Sequence, residues 1–366
     1  MKKKILVMDG DGVGPEVNRQ AFKVLRAVAD VAGITLEVDE ALVGGAAFDA
    51  TGKFLPEESL EKARDVDAIL FGAVGGPKWD TPETRGGAEK ALLTMRKELD
   101  LFANLRPAKV FDELIEASTL KRRVVQGTDM MVIRELAGGI YFGEPRGIFE
   151  ENGEKVGRNT LVYSERECER IIRVGFEMAR KRRNKLTSVD KANVLEATQL
   201  WRATAERLSA EYPDVQLNHL YVDAAAMELI RAPAQLDTIV TTNMFGDILS
   251  DEASMLTGSI GMLPSASLGP KVALYEPIHG SAPDIAGQDK ANPLASILSA
   301  GMMFRYTFDM PEMDDLIQKA VGEAIKEHRT GDIFVEGTKQ VGCEEMGELV
   351  MKQLHQLKPI AAASPA

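Results

Sequence analysis

An α/β architecture built on parallel strands is the fold class this sequence predicts, on three observations. Strand-like and helix-like segments alternate from the first residues. No fixed-period repeat and no Gly/Ser-rich or Pro-rich linker interrupts them. The chain has 366 residues, 45% hydrophobic and 27% charged, which is ordinary globular composition and enough for two domains at roughly 150 residues each.

The elements follow in order. Ile5 to Met8 reads as a buried first strand, and Val17, Ala21, Val24, Leu25, Val28 and Val31 repeat at helical spacing until Gly33 stops them. Ala68 to Phe71 reads as a strand. Cys168, Ile171, Ile172, Gly175 and Met178 form one helix face, and Val194, Thr198, Trp201, Ala205 and Leu208 another. Leu217 to Val222, Leu236 to Thr242 and Val272 to Ile278 read as further strands. Between Gly138 and Tyr163 the helical pattern is lost, and turn residues such as Gly143 to Gly147 and Asn152-Gly153 separate short β-prone runs. That stretch predicts an extended β arm of the kind that joins subunits. The small-residue tail Ala361 to Ala366 is expected to fray.

Charge and composition exclude several function classes. The formal net charge of -12 argues against a nucleic-acid surface, because the phosphate backbone would be repelled overall. Cys168 and Cys343 are the only cysteines and lie far apart, so neither a disulfide framework nor a zinc site is indicated, and a reducing, cytoplasmic compartment fits. Four apolar residues before Asp9 are too few for a signal peptide. The uncharged stretch Ala291 to Phe304 falls short of the ~18 apolar residues of a membrane span.

Several constellations carry chemistry. Asp247 and Asp251 lie four apart on a helical pattern and so share a face, where like charges repel unless a hard divalent cation such as Mg²⁺ or Mn²⁺ binds them or water solvates them. Arg96, Arg106 and Arg134 present planar forks that match carboxylates, although each alone also suits a structural ion pair. The run Arg180 to Arg183 closes a helix, where cations complement the dipole. Lys191 follows a strand and precedes a helix, a place suited to a base, and Tyr141, in the arm's first β-prone run, suits packing or proton donation. Gly10-Asp11-Gly12-Val13-Gly14 is spaced GxGxG and closed by Pro15, so it reads as a turn rather than a dinucleotide fingerprint. The loop Glu276 to Gly287 is the better cofactor candidate, with Asp284 able to accept ribose hydroxyls while repelling a 2′-phosphate.

Taken together, Arg96 to Pro107, Arg134, Gly138 to Gly143, SVDKANVLEAT, YVDAAAMELIRAP, NMFGDILSDEASMLTGSIGMLPSASLG and YEPIHGSAPDIAG resemble the isocitrate/isopropylmalate dehydrogenase family, in order and over nearly the whole chain. The resemblance implies a non-Rossmann two-domain α/β fold with a β arm at a dimer interface, a first domain from residues 1–101 and 258–366, and a second from 102–257 with the arm at about 136–163. It implies NAD-dependent oxidative decarboxylation of 3-isopropylmalate to 4-methyl-2-oxopentanoate and CO₂, a step of leucine biosynthesis. Arg96, Arg106 and Arg134 would hold the malate carboxylates, and Asp247 and Asp251 would bind Mg²⁺ or Mn²⁺. Asp223, from the neighbouring subunit, would complete the metal and substrate site. Lys191, also the neighbour's, would take the hydroxyl proton and Tyr141 would protonate the enol. His279, Gly280, Ser281, Ala282, Asp284 and Asn292 match the NAD loop, and Asp332 an adenosine contact.

Substrate choice in the family is read from the helix before Arg96. There Leu92 and Leu93, with Glu89 one turn earlier, suit an isopropyl group where isocitrate enzymes place a serine. Departures from the family pattern at Met8-Asp9, Ala137 and Thr242 remove none of these groups. Neighbouring activities are tartrate, homoisocitrate or isocitrate dehydrogenation. A non-catalytic regulatory relative, which would have lost one of these side chains, is the remaining alternative. No nucleic-acid or membrane partner is expected.

Overall fold

The computed structural model describes residues 1–357, so the tail Ala361 to Ala366 lies outside the described residues. The larger strands are β1 Lys2–Gly10, β2 Thr35–Glu40, β3 Ala68–Ala73, β4 Ala103–Lys109, β5 Asp129–Glu135, β6 Gly147–Glu151, β7 Glu154–Arg158, β8 Lys185–Asp190, β9 Gln216–Tyr221, β10 Thr238–Thr241, β11 Pro264–Leu268 and β12 Ala273–Pro277. The chain divides into two compact units, the first of Met1–Leu101, Phe111–Thr119 and Thr257–Ala366, the second of Phe102–Val110 and Leu120–Leu256. The chain is α/β in both.

In the first unit the strand order is β2-β1-β3-β12-β11, parallel except where β11 meets β12. Ile5, Leu6 and Met8 are wholly buried, as expected of a strand covered on both faces. The helix Gly14–Val31 follows; Pro15 presets its first turn, and it buries Val17, Ala21, Val24, Leu25 and Val28. The turn before it is a structural bracket. Its buried Asp11 carboxylate accepts from the backbone N–H groups of Gly45, Ala46 and Gly75, each at 2.7 Å. The uncharged stretch becomes the helix Leu294–Tyr306, buried from Leu294 through Phe304, which packs against Gly14–Val31 and Pro311–Ala324. A helix apolar all round must be internal, and this one is.

In the second unit the order is β4-β5-β10-β8-β9, antiparallel only between β4 and β5. Glu165–Arg180 opens with a capping box between Ser164 and Glu167 and turns Cys168, Ile171, Ile172, Gly175 and Phe176 inward. It packs against Glu196–Ser209, whose buried Trp201 donates from Nε1 to Ser188 Oγ at 3.0 Å. β6 and β7 form an antiparallel hairpin turned at Asn152-Gly153, so the paired part of the expected arm is shorter than 136–163. Three details differ from the sequence reading. Val194 lies before the helix and is exposed, Val222 starts a helix (Val222–Arg231) rather than ending a strand, and Tyr141 sits in the 3₁₀ turn Gly139–Tyr141. Arg182 and Arg183, read as dipole partners of the helix end, bind Asp237 and backbone carbonyls, including Asp129 O. Among the described residues, no helix is long and apolar enough to cross a membrane.

Candidate active site

Strand pairing builds the second unit's site. Side chains two apart on a strand share a face, which puts Asn104 and Arg106 together on β4, and the antiparallel register sets Asn104 opposite Arg134 on β5. β10 lies beside β5 and leads into the helix Asn243–Ser254, which carries Asp247 and Asp251 one turn apart. That helix lies close to the sheet because residue 246 is glycine: a Cβ there would stand 2.7 Å from Arg134 Cβ and Cγ.

Both arginines are buried. Arg134 donates from Nε and Nη2 to Asn243 Oδ1 at 3.0 and 2.8 Å, and its Nη1 meets Asp247 Oδ1. Arg106 donates from Nε to Asn104 Oδ1 at 2.7 Å and from Nη1 to Ser250 Oγ at 2.6 Å, and its Nη1 stands 3.5 Å from Oδ1 of both Asp247 and Asp251. Tyr141 Oη donates to Asp247 Oδ2 at 3.1 Å, with the Arg134 guanidinium 5.9 Å from its ring centre. Burial and the Asp247 charge push the Tyr141 phenol above its ordinary range, so it is a protonated donor at neutral pH. Burial also raises the Asp251 carboxyl, opposed by Arg106 and reinforced by Asp247. Paired carboxylates with oxygen donors alone suit a hard cation.

Lys191 and Asp223 form their own pair, Nζ to Oδ1 at 2.9 Å, which holds the Asp223 carboxyl below its usual range. Beneath Lys191, the buried Asp190 carboxylate takes two bonds from Arg202, at 2.8 and 2.9 Å, and one from the Ala192 N–H. Among the described residues no three His, Cys, Asp or Glu side chains gather to hold a metal, so Asp223 is not brought to Asp247 and Asp251 within one chain.

The first unit carries the remaining residues. Glu89, Leu92, Leu93 and Arg96 fall at i, i+3, i+4 and i+7 of the helix Gly87–Glu98 and so line one face. Arg96 is buried, donates from Nη2 to Glu276 Oε1 at 3.0 Å, and keeps a buried Nε without a partner. After β12, His279 Nδ1 shares a hydrogen with Gly280 O at 2.9 Å, while its buried Nε2 has no partner and burial lowers its pKa. Gly280 has open space where a side chain would stand, Ser281 O accepts from Val13 N at 2.8 Å, Ala282 is left-handed at φ 38°, and Asp284 is exposed. Asn292 and Asp332 bind each other at 3.0 Å, and Asp332 also accepts from Ser259 and Thr330. An open backbone, an unpartnered ring nitrogen and an uncompensated acid are features a nucleotide can use.

The family model for isocitrate/isopropylmalate dehydrogenases matches residues 4–350. The chain belongs to that family. Among curated members, 3-isopropylmalate dehydrogenase of Aquifex aeolicus is 58% identical over 98% of this chain and 99% of its own length. Chloroplastic 3-isopropylmalate dehydrogenase 2 of Arabidopsis thaliana is 58% identical over 97% of this chain and 88% of its own. Among solved members of the family, isocitrate dehydrogenase from Methylococcus capsulatus is 32% identical, with a TM-score of 0.85 over 97% of this chain and 100% of its own. A β-decarboxylating dehydrogenase of Thermococcus kodakarensis gives 0.79 at 32% identity over 100% and 99%. Sequence reasoning about the family motifs missed Asn104, Asn243, Ser250, Asp190 and Arg202. The signal available was position within the quoted motifs: Asn104 lies inside Arg96 to Pro107, Asn243 and Ser250 inside NMFGDILSDE, and Asp190 next to Lys191.

Proposed function

We propose that the chain is an NAD-dependent 3-isopropylmalate dehydrogenase that oxidises and decarboxylates its substrate in leucine biosynthesis, in the cytoplasm. The observation that carries this reading is the convergence of Arg106, Arg134 and Tyr141 on Asp247, with Asp251 one turn on. That arrangement offers two guanidinium forks for a dicarboxylate, two carboxylates for a hard cation and a protonated phenol. The separation in identity between isopropylmalate enzymes at 58% and an isocitrate enzyme at 32% favours the branched alkyl substrate, as do Leu92 and Leu93.

Mg²⁺ or Mn²⁺, held by Asp247 and Asp251 with Asp223 of a second copy, would supply Lewis-acid polarisation, and NAD⁺ bound along residues 279–284 with Asn292 and Asp332 would supply the hydride acceptor. Arg106 and Arg134 bind and orient the carboxylates. Lys191 takes the proton of the 2-hydroxyl as the carbon is oxidised to a ketone. The bond to the carboxylate β to that ketone then breaks, and Tyr141 Oη delivers a proton to the carbon that carried it. Glu89, Leu92, Leu93 and Arg96 are assigned to substrate contact on their motif. Because Lys191 and Asp223 pair with each other away from Asp247, we assign them to the site of a partner copy. Met227, Ile230, Ile248 and Met255, on or next to the packed helices Val222–Arg231 and Asn243–Ser254, are all at least 43% exposed, an apolar surface suited to a homodimer contact. NADH formation with 3-isopropylmalate, isocitrate, tartrate and homoisocitrate tests the assignment. Turnover of any of the other three above that of isopropylmalate overturns it.

A further inference from the structure

We propose that Asn104 and Asn243 are positioning residues for substrate binding, whose neutral amide oxygens aim the two guanidiniums without setting a carboxylate charge on their Nε edge. The proposal rests on the function assigned above. It is carried by a contrast within the second unit. Four other arginines there present their Nε edge to a carboxylate: Arg173 to Glu169 at 3.0 Å, Arg180 to Asp214 at 2.8 Å, Arg182 to Asp237 at 2.9 Å and Arg202 to Asp190 at 2.8 Å. Arg106 and Arg134 instead present that edge to Asn104 Oδ1 and Asn243 Oδ1. An amide oxygen accepts the same bonds as a carboxylate oxygen but carries no net charge.

The difference matters because the charge has a use. A guanidinium whose charge is cancelled on its inner edge holds a substrate carboxylate less tightly, and burial sharpens that loss. The carboxylates that meet the outer Nη1 tips, Asp247 and Asp251, are those assigned to the cation. Asn243 is also fully used. Its Nδ2 donates to Leu136 O at 3.2 Å and Gly138 O at 2.9 Å, and its backbone N–H donates to Tyr163 Oη at 2.9 Å. One buried amide thereby fixes Arg134, the start of the helix bearing Asp247, and the turn that leads to Tyr141.

The test is steady-state kinetics of N104D and N104A, with N243D and N243A as a second pair, at saturating Mg²⁺ and with folding checked by thermal melting. Asp keeps the acceptor oxygen and adds a charge, whereas Ala removes the acceptor and adds none. If neutrality is the point, N104D raises KM for 3-isopropylmalate by about tenfold or more and exceeds N104A, while kcat falls less and KM for NAD⁺ stays within about twofold. If the amide is only a structural acceptor, the order reverses, and a KM for N104D at or below that of N104A overturns the proposal. Should N104D fail to fold, the N243D and N243A pair decides by the same order. Wild-type enzyme that does not turn over isopropylmalate removes the functional assignment and this proposal together. Wild-type turnover with normal KM in both Asp variants removes this proposal alone.

Discussion

Replacing Glu135 by glutamine should flatten the pH dependence of stability. Glu135 is wholly buried at the end of β5, its carboxylate accepting from the N–H groups of Ala137 at 3.1 Å and Gly138 at 2.8 Å, with Arg170 at 3.6 Å. Burial outweighs those contacts and raises its pKa from the ordinary 4.5 to about 7. The folded state therefore prefers the proton more than the unfolded state does. Its contribution to stability is fully present below about pH 4.5 and is lost as pH rises through about 7. At about 1.4 kcal/mol per pH unit, that interval amounts to ~3 kcal/mol. Glutamine has no proton to lose, although its NH₂ sets a constant cost against one of the two N–H donors, so the stability of E135Q relative to wild type should rise by ~2.5 kcal/mol from pH 5 to pH 8. Denaturant unfolding of both proteins at the two pH values measures the difference. A gap that changes by less than ~1 kcal/mol between them would refute the account, because the carboxyl would then have titrated near its ordinary range when folded.

Turnover should stop in EDTA and return with Mg²⁺ or Mn²⁺, and D251N should raise the metal needed for half-activity with little change in melting, since that side chain is 59% exposed; full activity in EDTA sinks the metal assignment. NAD⁺ should exceed NADP⁺ in kcat/KM by at least about tenfold because exposed Asp284 offers a 2′-phosphate no cation, and equal values would turn Asp284 away from the ribose. K191A and R134A homodimers should each be nearly inactive, yet refolding the two together should return roughly a quarter of wild-type activity, since half the dimers are mixed and each has one intact site. No recovery, despite mixed dimers seen by mass spectrometry, would place both residues in one chain's site.

Local rules made much of this molecule legible. The apolar spacing from Val17 to Val28 is the buried face of a real helix, and the interval between Asp247 and Asp251 is a real helical turn. Where reading failed, a local cause can be named. Val194 keeps the period of the following helix, but a turn in which Val194 and Leu195 donate to Lys191 O delays the helix to Glu196 and leaves Val194 60% exposed. Tyr141 follows Gly139, whose φ of 80° bends a β-prone run into a 3₁₀ turn. Pro107 hides β4, because proline usually argues against a strand, yet it pairs with Met131 in the antiparallel ladder. The site itself is the least local feature: Arg106 meets Asp247 across 141 residues, a juxtaposition that only the strand order creates.

Charge explains why these residues sit together. In the second unit's cluster two guanidiniums face two carboxylates around a neutral phenol, and Lys191 pairs with Asp223. In the first unit Arg96 is matched by Glu276. Each group is thus close to neutral by itself, as partly buried charges must be. A malate-type substrate brings two negative charges, and a divalent cation two positive ones. Either alone leaves an uncompensated double charge beside the buried Arg106 and Arg134, whereas the two together restore the balance. Cation and dianion should therefore strengthen each other's binding, a reciprocal coupling that linkage requires. The neutral amides of Asn104 and Asn243 belong to the same logic, since a carboxylate in either place would tip the cluster negative before the substrate arrived.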